Sequence, residues 1–276
     1  MFVRAFGFFA LISVAAAPAF ALPLQEGRMV GLQVRGETVR AYVTQPLRSG
    51  LYPGVVVIHE WWGLNDQIKG VADRTAEDGY VAIAPDLYRG KLGTDAGIAH
   101  ELMRGLNENY ALDVVAAAID WLRTNEAQTA RRPGAQRMPV AALGFCMGGR
   151  IALASALKQA DIQSAVMFYG SVETQKNALA PLQVPLLGIF GNEDHGIPLD
   201  QIKAFDAALK ESDKQATVLV YPGVGHAFFN EDRPGYDKEV AHDAWERTRM
   251  FLKETLVTSP DAQKKPPKER PRLDED

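Results

Sequence analysis

The chain has 276 residues, of which 47% are apolar and 23% charged, a balance that can bury the core of one large α/β domain or two small ones. A net charge of -4 argues against a nucleic-acid-binding protein, which would present a strongly basic face. Cys146 is the only cysteine, so no internal disulfide can form.

In chain order, Arg4, an apolar run over residues 5–17 and Ala19-Phe20-Ala21 predict a signal peptide over residues 1–21, cleaved after Ala21. The protein is then exported, periplasmic or secreted. The apolar run is too short to span a bilayer comfortably, and no membrane attachment is expected after cleavage. Residues 22–258 are expected to form one domain. Alternation over 38–44 predicts a strand, and the β-branched run Val55-Val56-Val57-Ile58 within 54–59 predicts a fully buried one. A helix follows over 68–78, with Asn65 or Asp66 as its start and Gly79 as its stop. Residues 80–84 read as a strand ended by Pro85. Leu112, Val115, Ala116, Ile119 and Leu122 recur at helical spacing and predict a helix over 110–123. Strands are expected at 138–145, 164–169, 185–191 and 216–221, and helices at 149–157, 199–212 and 238–256. Residues 259–276 are rich in Lys, Pro, Glu and Arg and are read as a disordered, charged tail.

This βα alternation predicts an α/β fold: a mostly parallel sheet with helices on both faces and functional residues in loops at the carboxyl ends of strands. The run Gly144-Phe145-Cys146-Met147-Gly148 stands at such a place. Strand, glycine-flanked nucleophile and helix make a nucleophile elbow, with cysteine where serine usually sits. A leftover cysteine in an exported chain is either a buried, inert thiol or a reactive one, and the flanking glycines favour the second reading. The residue after the nucleophile, Met147, supplies one backbone N–H of an oxyanion hole.

A thiol nucleophile needs a base, and the base needs an orienting group. The elbow prescribes the chain order nucleophile, acid, histidine. Gly191-Asn192-Glu193-Asp194 follows one predicted strand and Gly223-Val224-Gly225-His226 the next. Glu193 and Asp194 qualify equally as the acid on this reading, and taken singly Asp194 could be a turn-former and His226 a loop histidine. His59, His100, His195 and His242 read as structural or surface residues. His59-Glu60 is not a zinc signature, because Gly63 stands where a second histidine would be needed. No metal is expected.

Five stretches together resemble the dienelactone hydrolase family, the cysteine branch of the α/β-hydrolases, from about residue 30 to residue 256. They are Val57-Ile58-His59-Glu60-Trp61-Trp62-Gly63-Leu64-Asn65, Ala84-Pro85-Asp86-Leu87-Tyr88, Gly144-Phe145-Cys146-Met147-Gly148-Gly149, Asp194-His195 and Gly225-His226-Ala227-Phe228. The resemblance implies an α/β-hydrolase fold and a triad of Cys146, Asp194 and His226. It also implies a proton-accepting role for Glu60, an oxyanion hole from the N–H groups of Trp61 and Met147, and no cofactor. The small-molecule substrate would be an ester or lactone, hydrolysed through a cysteine acyl-enzyme, with Tyr88 and Arg89 as substrate contacts. The chain departs from the family pattern where an arginine and a serine of the histidine loop are replaced by Asn230 and Ala227, with Arg233 displaced nearby. The competing reading is an exported, non-hydrolytic binding protein that holds a small anion in the same pocket. The sequence leaves the oligomeric state open, and a monomer is compatible with it.

Overall fold

The computed structural model describes residues 21–124, 138–158 and 160–258. The expected signal peptide, apart from Ala21, and the expected tail lie outside the described residues. The elements run β1 (Arg28–Val34), β2 (Glu37–Thr44), β3 (Gly54–Ile58), α1 (Asp66–Glu77), β4 (Val81–Pro85), α2 (Ala96–Gly105), α3 (Glu108–Thr124) and β5 (Val140–Phe145). They continue with α4 (Met147–Leu157), β6 (Ser164–Phe168), α5 (Lys176–Leu179), β7 (Leu186–Gly191), α6 (Leu199–Glu211), β8 (Ala216–Tyr221) and α7 (Lys238–Lys253).

The strands form one sheet of eight in the order β1-β2-β4-β3-β5-β6-β7-β8. β1 and β2 pair antiparallel, as do β2 and β4, and all other neighbours are parallel. Every residue of β3, β4, β5, β6 and β7 is buried, which is why these strands read as continuous apolar runs rather than alternating ones. Each buried Val, Ile or Leu side chain contributes roughly 1.5–3 kcal/mol.

From β3 the chain steps through α1 to β4 on one side, then returns past β3 to β5 and continues outward to β8. Right-handed crossovers in opposite directions put their helices on opposite faces of the sheet. α3 and α4 thus share one face, and α1 lies on the other. α7 joins α1: Trp245 Nε1 donates to Asp78 Oδ2 at 3.0 Å, and Arg249 pairs with Asp78 at 2.8 Å, beside the last turn of α1. The reversal of direction opens a crevice between the carboxyl ends of β3 and β5, the place where such sheets bind ligands. Glu60 follows β3 and Cys146 follows β5.

The predicted elements are present with small shifts at their ends. Asn65 caps α1, its Oδ1 accepting from Ile68 N–H at 3.1 Å, and Gly79 at φ 93° ends the turn beyond it. α7 stops at Lys253 and continues as a π-helical turn over Glu254–Thr258. Three elements are additional. β1 forms a hairpin with β2 through Arg35 and Gly36, both at positive φ (49° and 81°), the geometry of a two-residue hairpin turn. α2 is capped by Asp95, which accepts from Ile98 N–H at 2.9 Å, and α5 is a single turn.

Candidate active site

Cys146 sits between β5 and α4 at φ 52° and ψ -116°, a backbone conformation that costs energy for any residue with a Cβ. Three features hold it there. Its N–H donates to Phe168 O of the next strand at 3.0 Å. A Cβ on Gly144 would lie 2.0 Å from Gly148 O, and one on Gly148 would lie 2.2 Å from Ile58 O. The elbow is therefore closed so tightly that neither position admits a side chain, and the turn sits directly on the end of β3.

Asp194 follows β7 and is 3% exposed. Its Oδ1 accepts from Gly196 N–H at 2.8 Å and Ile197 N–H at 3.1 Å, which turns Oδ2 toward His226 Nδ1 at 2.7 Å. Burial alone would raise its carboxyl, but the histidine and the two backbone donors outweigh burial and hold it below the usual range. The loops after β7 and β8 are stitched together: Glu193 N–H donates to Val224 O at 3.0 Å and Gly223 N–H to Asn192 Oδ1 at 2.8 Å. Glu193 itself is exposed, so the geometry puts Asp194, and not Glu193, on the histidine.

His226 bonds Asp194 through Nδ1, and Cys146 lies beside it in the lining of one cavity and acts on its ring electrostatically. Burial would lower its pKa, yet these two partners push it up to about 10. The arrangement favours an imidazolium, with Asp194 as the acceptor of its Nδ1 proton.

Glu60 is 3% exposed. Tyr169 OH donates to its Oε1 at 3.0 Å and Asn230 Nδ2 to its Oε2 at 2.6 Å. Among the described residues no cation forms an ion pair with it, and burial raises its carboxyl despite the two donors. The Tyr169 ring in turn lies 5.1 Å from the His226 ring, so Glu60 and His226 flank one tyrosine. His59 beside it is structural: Leu87 N–H donates to Nε2 at 3.2 Å, so the proton sits on Nδ1, 2.5 Å from Glu60 O.

The backbone N–H groups of Trp61 and Met147 meet no acceptor among the described residues. Met147 is the first residue of α4, where the N–H has no partner within the helix. The Trp61 side chain packs edge-on against Trp62, with 5.0 Å between ring centroids.

Part of this constellation opens on a cavity of about 210 Å³. Cys146, Met147 and His226 line it, together with Tyr169, Arg150, Ser171, Gly196, Ile197, Met103 and Leu106.

With the geometry in hand, comparison with known proteins decides the family. The sequence model of the dienelactone hydrolase family matches residues 39–256. This chain belongs to the dienelactone hydrolase family. "Protein usf" of Aquifex pyrophilus is 36% identical over 239 residues, covering 84% of this chain and 100% of that one. A Yersinia pestis protein named "Putative carboxymethylenebutenolidase" is 34% identical over 224 residues, covering 77% of this chain and 82% of that one. The crystal structure of a "Putative Dienelactone Hydrolase" from Klebsiella pneumoniae superposes with a TM-score of 0.74 at 27% identity, covering 83% and 98% of the two chains. The sheet described above is thus an α/β-hydrolase fold, and the chain is a dienelactone hydrolase-like hydrolase.

Within this dienelactone hydrolase scaffold the two expected substrate contacts lie apart from the cavity lining. Tyr88 is buried, with its OH donating to Met147 Sδ at 3.2 Å. Arg89 points away: it grips both oxygens of Glu37, at 2.7 and 3.2 Å, and its guanidinium stacks 3.9 Å over the Tyr110 ring. Arg233 stacks 3.6 Å over the Trp62 ring. Asn230, where the family pattern has arginine, is fully buried and bonds Glu60 instead of facing the cavity. Sequence reasoning missed Tyr169, Arg150, Met103 of α2 and Leu106 just after it, all of which line the cavity. Tyr169 ends a predicted strand and Arg150 lies one helical turn after Cys146, so the strand-end rule and helical spacing could have flagged both.

Proposed function

We propose that this chain hydrolyses an ester or lactone through a thioester on Cys146. The observation that carries the reading is the Asp194–His226 hydrogen bond beside Cys146, with Cys146 and His226 lining one cavity and Cys146 held there at positive φ. In the proposed mechanism His226 holds the thiol proton and Sγ attacks the substrate carbonyl carbon. The carbonyl oxygen becomes an oxyanion facing the N–H groups of Met147 and Trp61, which are worth most because they need no reorganisation during reaction. The C–O bond to the leaving group then breaks, and His226 gives that oxygen its proton. Water adds to the thioester with His226 as base, and collapse of the second tetrahedral intermediate releases the acid and restores the thiol. Orientation of the imidazole falls to Asp194, because a proton fixed on Nδ1 leaves the other ring nitrogen free to exchange one with sulfur.

Glu60 is assigned as a second proton acceptor for the thiol. A buried carboxylate is a stronger base than one in water, and at Glu60 burial outweighs the two donors and the more distant charges of His226 and Arg233. Glu60→Gln is expected to lower kcat/KM by about 10²-fold, the usual worth of one acid–base group, while the melting temperature drops only modestly. An unchanged rate constant for thioester formation, measured by stopped flow, would remove Glu60 from the mechanism.

The direct test of the whole reading is the acyl-enzyme. Intact-protein mass spectrometry during turnover of an activated aryl ester should show the protein plus one acyl group, with the adduct mapped to the peptide containing Cys146. Turnover with the adduct on another residue, or with none in a rapid-quench time course, would overturn the nucleophile assignment.

A further inference from the structure

Among the described residues, Arg150 is the only permanently charged side chain lining the cavity, and no carboxylate lines it. It lies one helical turn beyond Cys146 in α4, its own N–H donating to Cys146 O at 3.2 Å. Side chains on a helix lean toward its N-terminus, and of the three intervening residues, Met147, Gly148 and Gly149, the last two carry no side chain. Arg150 therefore leans toward the end of the helix where the nucleophile stands.

The guanidinium is not fully engaged. Its Nη1 pairs with Glu108 Oε2 at the start of α3, and no acceptor among the described residues meets Nε or Nη2. Both partners are open to water, with side chains 40% and 41% exposed, and an exposed pair of that kind holds together only weakly. Five donors in a rigid fork leave an edge for a second, bidentate acceptor. Beside it, Met103, Leu106, Met147 and Ile197 give the cavity an apolar wall, which keeps water back and strengthens a charge pair formed against it. Neither Arg89, committed to Glu37, nor Arg233, stacked on Trp62, lines this space.

We infer that Arg150 is the specificity-determining residue of this site: it binds a carboxylate carried on the acyl part of the substrate while Cys146 attacks the neighbouring ester carbonyl, with Glu108 as the competing partner that yields to it. The inference deepens the hydrolytic reading of Cys146 and rests on it.

A matched pair of substrates tests it: 4-nitrophenyl hydrogen succinate and its methyl ester, which share leaving group and acyl chain and differ in one charge. The wild type should prefer the acid in kcat/KM. In Arg150→Gln the acid should lose at least about tenfold, mainly through KM, as expected for a lost charge-assisted bidentate contact. The methyl ester should stay within about threefold. Inhibition by free succinate should weaken by a similar factor, a readout that needs no turnover of the acid. Glu108→Gln should keep the preference or raise it. Arg150→Lys keeps the charge without the fork and should fall between, which preserves the test if the glutamine variant folds poorly. Equal losses on both substrates in Arg150→Gln, a preference that survives that change, or a wild type blind to the charge would each overturn the assignment. Cys146→Ala separates the two ideas: activity that persists without Cys146 defeats the hydrolytic reading, whereas Cys146-dependent activity indifferent to substrate charge defeats only the role of Arg150.

Discussion

Cys146→Ala is expected to lower kcat/KM for small aryl esters and lactones by on the order of 10⁴-fold or more, with the fold intact. Removing the nucleophile of a coupled constellation typically abolishes nearly all of its catalysis, since the remaining groups cannot act without it. What survives would come from the Met147 and Trp61 N–H groups and from binding in the cavity. The change is also structurally mild. Alanine keeps the Cβ and hence the same positive-φ backbone, the Cys146 N–H keeps its bond to Phe168 O, and only the sulfur and its contact with His226 are lost. Steady-state kinetics on an aryl ester and a dienelactone, paired with a thermal melt, read both effects. Full activity in a folded alanine variant would mean that Cys146 is not the nucleophile. Loss of activity together with loss of folding would be uninformative about chemistry, and the melt guards against that.

Asp194→Asn should cost on the order of 10³–10⁴-fold in kcat, because it reverses the tautomer of His226. Asparagine can keep accepting from the Gly196 and Ile197 N–H groups, and it then presents an N–H where Oδ2 now accepts from His226 Nδ1. The ring answers by moving its proton to the nitrogen facing Cys146, where a proton acceptor is needed. Glu193→Gln is the control. Its side chain is exposed, and the change should leave kcat unaltered.

The same substitution has a signed effect on stability against pH. The pKa of His226 is raised from its usual 6.5 to about 10, so its contribution to stability is fully present below 6.5 and is lost as pH rises through about 10. Asp194 is lowered from its usual 3.8, so its contribution is present above 3.8 and is lost as pH falls through its depressed value. Wild type should therefore exceed Asp194→Asn in stability most between about pH 4 and 6.5, and the gap should close above about pH 10. Urea midpoints at about pH 5, 8 and 10.5 measure it. A gap that widens with rising pH would contradict the charged pair. The alkaline limb of kcat/KM, which reports the imidazolium, should likewise move to lower pH in the variant.

How much of this was legible before the structure depended on whether the decisive contacts were local. The elbow was legible because its demand is local: Cys146 between glycines, after an apolar strand and before a helix, leaves one backbone path. The sheet was legible because strands covered on both faces carry continuous apolar runs, as 54–59 and 185–191 do. β1 was harder to see. It is an edge strand with only Leu32 and Val34 buried, and the exposed apolar Met29 beside Val30 blurs its alternation. α2 hid for a related reason. A single one of its residues, Ala99, is buried, so burial writes little periodicity into it, yet Met103 reaches the cavity from this helix.

The site divides along the same line. Residue order and strand-end placement brought Cys146 and His226 forward, but Glu193 and Asp194 are neighbours in one loop, and only the fold buries one and exposes the other. Arg89 was chosen as a substrate contact from its place after Pro85-Asp86-Leu87-Tyr88; its actual partner, Glu37, lies on a strand 52 residues earlier. Asn230 could be marked as a departure from the family but not as the group that would bond Glu60, 170 residues away. By itself the sequence determined the fold class, the family and the backbone at Cys146, because local motifs, short-range sterics and apolar periodicity govern those. Only the tertiary structure decided which acid meets the histidine, where each arginine is directed and which walls the cavity has. Those depend on long side chains choosing partners across the sheet, a choice set by distance and burial rather than by neighbours along the chain.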